Sequence, residues 1–142
     1  MTNTAGVTDL FARVAAGLGG DIRVIWYNAV CFSLPYDAPA DQIAAGCALN
    51  FGTLWASFGA VVGSWVDGDG GVFMMSGGGF ANNGAYSVNF GAQFGSTQKA
   101  FMKNFAESTQ ATYGDKGISV CALEISAFIL FFFFFLSGLQ SH

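Results

Sequence analysis

Four polar residues stand where apolar runs of this chain stop: Asn28 after RVIWY, Asn50 inside the uncharged ALNFGTLW, Ser76 at the end of GVFMMS, and Lys99 within STQKAFMKNF. Such residue types have uses at a reacting carbonyl or alcohol. A lysine ammonium lowers the pKa of a nearby hydroxyl, a serine donates a hydrogen bond to a substrate oxygen, and an asparagine fixes backbone or water. Each also has a plainer role: asparagines satisfy backbone groups at strand ends and helix kinks, serines open turns, and lysines sit on solvated helix faces. No Ser/His/Asp or Cys/His set accompanies them, and the lone histidine is the terminal His142, so hydrolysis is unsupported.

The elements that must position these residues alternate in type. Thr8 to Leu18 carries Leu10, Phe11, Val14 and Leu18 at spacings of three and four, which predicts an amphipathic helix with Thr8 as N-cap and Gly19-Gly20 as its stop. Ile22 to Tyr27 then reads as a buried strand, and Phe32 to Asp41, with Pro35 and Pro39, as a loop. Gln42 to Val66 is uncharged and reads as one helix, with Phe51, Leu54, Phe58, Val62 and Trp65 on one side and the small Ala56, Gly59, Ala60 and Gly63 on another. Gly71 to Ser76 is a second strand and Gly77 to Asn89 a Gly/Asn-rich loop. A third helix carries Phe94 to Phe105 and closes near Tyr113-Gly114, with Gly114 as C-cap, before a third strand from Gly117 to Leu123. Helix, strand, helix, strand, helix, strand is the pattern of a parallel three-layer sheet, whose ligands lie at the carboxyl edge of its strands.

The chain has 142 residues, enough for one core, with 53% hydrophobic and 10% charged residues, so most elements should be covered on both sides or meet a partner. A net charge of −4 with five scattered basic residues argues against nucleic acid. Cys31, Cys47 and Cys121 are odd in number and lack C-x-x-C spacing, which predicts neither a disulfide framework nor a zinc site. Asp67-Gly68-Asp69-Gly70-Gly71 only faintly suggests a calcium loop, since Val72 and Gly78 occupy positions that need Gly and Glu, so no metal is expected. The amino terminus lacks signal-peptide character, and cytoplasmic residence is the expectation.

Taken in order, these residues resemble the second half of the short-chain dehydrogenase/reductase superfamily, from about Thr8 to Leu123. In that family the fourth strand ends in Asn-Asn-Ala-Gly, matched by Tyr27-Asn28-Ala29-Val30, and the next helix carries Asn-x-Gly or Asn-x-x-Gly, matched by Asn50-Phe51-Gly52. The fifth strand ends in a catalytic Ser, matched by Ser76, and the following helix holds Tyr-x-x-x-Lys, of which Lys99 remains. The resemblance implies a partial Rossmann-like α/β fold with about three parallel strands, spanning residues 1–125, and an apolar tail at 126–142. It implies Asn50, Ser76 and Lys99 as catalytic residues, Asn28, Ala29 and Lys99 as cofactor-binding residues, and NAD or NADP as cofactor. It also implies a homodimer through the helices at 42–66 and 94–113.

Two departures bear on activity. The tyrosine place, four residues before Lys99, is Gly95, which has no proton to give; Tyr86 lies thirteen residues away, about 20 Å along a helix. MSGGGFA resembles a branch whose fifth strand ends in Thr-Gly-Gly-Gly and which also lacks that tyrosine. No G-x-G-x-x-G survives either, since Asn82 and Ile22 stand where the last glycines would be. The expectation is therefore an NAD(P)-dependent oxidoreductase by lineage, truncated before its Gly-rich half, with cofactor binding weakened or absent and activity low or nil.

The tail is foreign to that pattern. Ala127 to Leu136 is unbroken apolar, including Phe131 to Phe135, and predicts a C-terminal apolar helix. The alternative reading is a noncatalytic binding or membrane-associated protein on the same half-sheet. The uncharged Ile43–Val66 run with Gly59-Ala60-Val61-Val62-Gly63 and the segment 125–139 are its candidate membrane contacts.

Overall fold

The computed structural model describes residues 4–29, 31, 33–77 and 93–123. The elements run α1 (Thr4–Leu18), β1 (Val24–Tyr27), α2 (Ala40–Cys47), a π-helical turn (Ala48–Gly52), α3 (Thr53–Asp67), β2 (Gly71–Ser76), α4 (Gln93–Tyr113), a 3-10 turn (Gly114–Lys116) and β3 (Ile118–Leu123). The three strands are all parallel in the order β1-β2-β3, with Val24 opposite Val72, and Gly71 opposite Ile118. Consecutive parallel strands need a crossover, and α2–α3 and α4 supply the two. The expected partial Rossmann-like fold with a short parallel sheet is observed. The Gly/Asn-rich loop, Tyr86 and the apolar tail at 126–142 lie outside the described residues.

The core occupies one face of the sheet. Leu54, Phe58, Val61 and Trp65 of α3 and Met102 and Phe105 of α4 pack on Ile25, Tyr27, Phe73, Met75, Ile118 and Val120. Phe58 meets Phe73 and Phe105 edge-to-face with ring centroids 5.5 Å apart in both pairs, the geometry that ring quadrupoles favour. Trp65 is fully buried, its indole N–H donating to the Ile22 carbonyl. A β-carbon at Gly71 would lie 2.3 Å from that ring, so only glycine opens β2. At Gly70, φ is +79° and a β-carbon would come within 2.1 Å of the Gly117 carbonyl, so close backbone approach requires glycine in the DGDGG turn.

The structure corrects several boundaries. α1 starts at Thr4, which places Thr8 inside it, and of its predicted apolar face only Phe11 packs on the core while Leu10, Val14 and Leu18 stay exposed. The reason is that α1 leans chiefly on α3. β1 is two residues shorter than predicted, and α2 begins inside the predicted loop, at Ala40 after Pro39. The left-handed residue near the end of α4 is Gly117, with φ +73°, and not Gly114. The uncharged run is two helices joined by the π-helical turn, and its small stripe faces outward at Gly59 and Gly63.

Candidate functional site

Because the strands are parallel, Tyr27, Ser76 and Leu123 all end on one edge of the sheet. The π-helical turn and the start of α4 meet that edge. Thr53 N–H reaches back five residues to the Ala48 carbonyl, and this wider turn leaves neighbouring carbonyls in need of side-chain donors. The Tyr27 and Thr53 hydroxyls both reach the Leu49 carbonyl, Tyr27 at 3.0 Å, and also meet each other at 2.6 Å, so their two protons are shared among the three contacts. Asn50, completely buried, pairs both ways with one backbone residue: its Oδ1 accepts from Cys31 N at 2.6 Å and its Nδ2 donates to Cys31 O at 3.0 Å. Asn50 thus fixes the chain just beyond β1.

Gln98, also completely buried, does similar work from α4. Its Nε2 donates to Ala29 O at 2.8 Å and to Asn50 O at 3.0 Å, tying β1, the π-helical turn and α4 together. Its Oε1 has no partner among the described residues. The sequence held no signal for this residue beyond a glutamine beside Lys99; only the fold shows that one turn of α4 aims it at two carbonyls.

Lys99 is 4% exposed and its Nζ donates to the Ser76 backbone carbonyl. Burial holds its pKa below the ordinary lysine value, because desolvation disfavours the ammonium. Tyr27 is shifted the opposite way: burial raises its pKa, and the hydrogen bond with Thr53 opposes that rise. Ser76 and Lys99 therefore meet on one edge, but through backbone. Strand alternation turns the Ser76 side chain to the sheet face away from Phe73 and Met75, where its Oγ accepts from Trp26 Nε1 at 2.8 Å. The next residue, Gly77, has no side chain, and a β-carbon there would lie 2.8 Å from the Leu123 carbonyl. Asn28 is exposed just past β1, and Ala29 is half-buried with its carbonyl committed to Gln98. Gly95 is buried in α4, one turn before Lys99.

No family model matches the chain, and neither does any curated protein sequence. Solved structures do. A 7α-hydroxysteroid dehydrogenase complexed with NADH and 7-oxo glycochenodeoxycholic acid superposes with a TM-score of 0.72 at 18% identity, over 87% of this chain and 47% of that one. The NADH-dependent reductase A1-R′ complexed with NAD gives 0.74 at 16% identity over 88% and 53%. A short-chain dehydrogenase/reductase from Serratia marcescens gives 0.73 at 17% identity over 87% and 49%. The chain has the short-chain dehydrogenase/reductase fold. It spans about half the length of the structures it matches.

In geometric terms the edge is well framed and poorly armed. Lys99 can hold positive charge there, but its ammonium already meets a carbonyl, the Ser76 hydroxyl points to the other face, and position 95 offers only hydrogen. Ala29's carbonyl is occupied by Gln98. Among the described residues no group of three or more His, Cys, Asp or Glu is arranged to hold a metal.

Proposed function

We propose that this chain carries the substrate-side half of an NAD(P)-dependent short-chain oxidoreductase, and that the chain as given transfers hydride weakly or not at all. The observation that carries the reading is the pairing of Lys99 with the end of β2, beside Asn50 in its π-helical turn, while Gly95 stands one turn back where the resemblance asks for a tyrosine. An alkoxide formed at a substrate carbon would find no side-chain acid at that position. The frame supports lineage and the empty position argues against turnover. NADH and NAD are ligands of the structural neighbours, and which nicotinamide nucleotide suits this lineage is left to titration.

The test is fluorescence of NADH or NADPH during titration with purified protein. We expect no saturable change, and no turnover on restoring the acid with Gly95→Tyr. Micromolar binding of either nucleotide would overturn the reading and make Asn28 and Lys99 the first positions to substitute.

The partner we infer is a second copy, docked through α3 and α4. A groove of about 310 Å³ runs between these helices, lined by Trp55, Gly59, Val62, Phe105 and Thr112, among others, with Trp55 66% exposed. The outward Gly59 and Gly63 let another helix approach closely. The run Ala40–Asp67 is also long and apolar enough to cross a membrane, but it places Leu54, Phe58, Val61 and Trp65 in the core of this sheet, which favours the folded domain over a span.

A further inference from the structure

A strand at the rim of a sheet turns the N–H and C=O of every second residue outward, where no ladder partner meets them. The rims here are β1 and β3. Val24 is opposite Val72 and Trp26 opposite Met74, and the Val72 N–H donates to the Arg23 carbonyl, so Arg23, Ile25 and Tyr27 turn their backbone groups toward β2. Val24 and Trp26 therefore turn theirs outward, and no hydrogen bond reaches those groups among the described residues. On β3 the same parity points Ile118 and Val120 outward, and there the Gln110 side chain of α4 takes up the Val120 N–H at 2.9 Å. β1 has no such cover. Its sequence VIWY carries neither the proline nor the charge that commonly guards an edge, and its outward residues are exposed, Val24 at 58% and Trp26 at 60%.

We propose that β1 pairs with β1 of a second copy, antiparallel about a two-fold axis at Ile25, so that the two sheets join edge to edge. In that register Val24 stands opposite Trp26 of the partner subunit and Trp26 opposite Val24 of the partner subunit. Each pair exchanges two N–H···O=C bonds, which uses every outward group of Val24 and Trp26. The side chains of both pairs lie on the second face of the sheet, away from Phe73 and Met75, and an aromatic ring beside a β-branched chain is a favourable cross-strand pair. The Trp26 indole N–H is already satisfied by Ser76, so covering the ring strands no polar group. A copy fits better than an arbitrary strand because the register is self-complementary: Arg23 falls opposite Tyr27 and Asp21 opposite Ala29, so no charge meets its like. The helix layer extends the same surface. α4 packs on β3 and α1 on α3, which puts α1 at the β1 end of the layer, with Leu10, Val14 and Leu18 exposed. The two-fold keeps both helix layers on one side of the joined sheet and sets the two α1 helices across the axis from each other. Pairing at β1 requires neither the α3–α4 contact nor a nucleotide.

Full-length Gly63→Arg protein, whose α3 contact is blocked, should run as a dimer by size-exclusion chromatography with light scattering. Adding Val24→Pro removes an outward donor and no bond of the β1–β2 ladder, and should weaken that dimer about tenfold or more, while Val24→Ile should leave it unchanged. Cross-linking reads the register, and it decides even where the proline variant fails to fold. On a background of Cys31→Ser, Cys47→Ser and Cys121→Ser, a Val24→Cys chain mixed with a Trp26→Cys chain should form a disulfide-linked pair under mild oxidation, because hydrogen-bonded partners lie about 5.5 Å apart between α-carbons. Either chain alone should not, since like positions meet only on the diagonal. A folded Gly63→Arg monomer, an unchanged dimer in folded Val24→Pro, or single chains that cross-link as fast as the mixture would each overturn the proposal. Failure of the α3 reading shows separately, as a mass unchanged between wild type and Gly63→Arg.

Discussion

At the Asn50 end of the sheet edge, two buried carboxamides make four hydrogen bonds to backbone and join three elements. At the Gly95 end, an ammonium meets the Ser76 backbone carbonyl, and one turn away the helix offers no side chain. Both ends belong to one site by placement, yet the first ties three elements together through side-chain amides while the second has glycine one turn before its lysine. Buried amides that lose partners are costly, so the network is under stability constraint whether or not chemistry occurs. A proton donor has no such protection. The contrast teaches that the frame of a sheet edge can be held by stability alone, whether or not a reacting group stands beside it.

The largest effect that would sharpen this contrast is expected at Asn50. Asn50→Leu removes both partners of Cys31 and leaves its N–H and C=O beneath an apolar side chain, which should cost about 2–4 kcal/mol. Urea unfolding measures it. A loss below about 0.5 kcal/mol, the size of an ordinary surface change, would mean that the π-helical turn is held by something else. Gln98→Leu should cost less, about 1–2 kcal/mol, because deleting two donated bonds is partly offset by removing the unpartnered Oε1. Gln98→Glu should be worse than leucine at neutral pH, since a carboxylate oxygen would face the carbonyls of Ala29 and Asn50. If the order of those two variants were reversed, the amide would not be acting as a donor.

Alkaline titration tests the Lys99 end. Its folded pKa lies below the ordinary 10.5, so between the two values the unfolded chain binds more protons, and stability should rise with pH through that window. Tyr27 works the other way: its folded pKa lies above 10.0, so above that value the unfolded chain ionises first and stability should fall as pH rises through the folded value. Lys99→Met should remove the rise, and Tyr27→Phe the part of the fall that belongs to Tyr27. Denaturation midpoints measured from neutral pH to about 11 show both slopes. Unchanged slopes in the two variants would place the groups in more open surroundings than the fold gives them.

How much of this was legible beforehand follows from what each residue depends on. The ends of β2 and β3 were readable because apolar runs stop at Ser76 and Leu123, and the parallel sheet followed from alternation. Asn50 and Lys99 were singled out by type and order together with the family resemblance. The π-helical turn was not, because ALNFG has ordinary helical composition and its extra residue is set by Asn50 pairing with Cys31, a contact nineteen residues away in sequence. Gln98 was missed for the same reason, as its partners are far along the chain. The facing of Ser76 follows from strand parity, but parity fixes a face only once the core side of the sheet is known.

The proposed dimer lets the outward face be compared with the inward one. Ala60→Glu or Gly63→Arg places charge on the outer side of α3, away from Phe58 and Trp65, so monomer stability should change little. The copy facing it would have to bury that charge unpaired, and association through α3 should be lost by size-exclusion chromatography with light scattering. Unchanged mass with intact fold would remove α3 from the interface.

The smallest effect is expected at Ser76, and it bears most directly on the site. If its hydroxyl belongs to the edge shared with Lys99, Ser76→Ala should leave Trp26 undisturbed. If it belongs to the second face, as the 2.8 Å bond from the Trp26 indole shows, the substitution should free that N–H and alter Trp26 emission. Trp26 is 60% exposed, so water can replace the lost acceptor, and the cost should stay near 0.5–1 kcal/mol, the net worth of one hydrogen bond. Lys99 donates to the Ser76 carbonyl, which alanine keeps, so the alkaline slope assigned to Lys99 should survive. Loss of that slope in Ser76→Ala would mean that the hydroxyl and the ammonium communicate after all, and Ser76 would then belong with Lys99 on the edge rather than with Trp26.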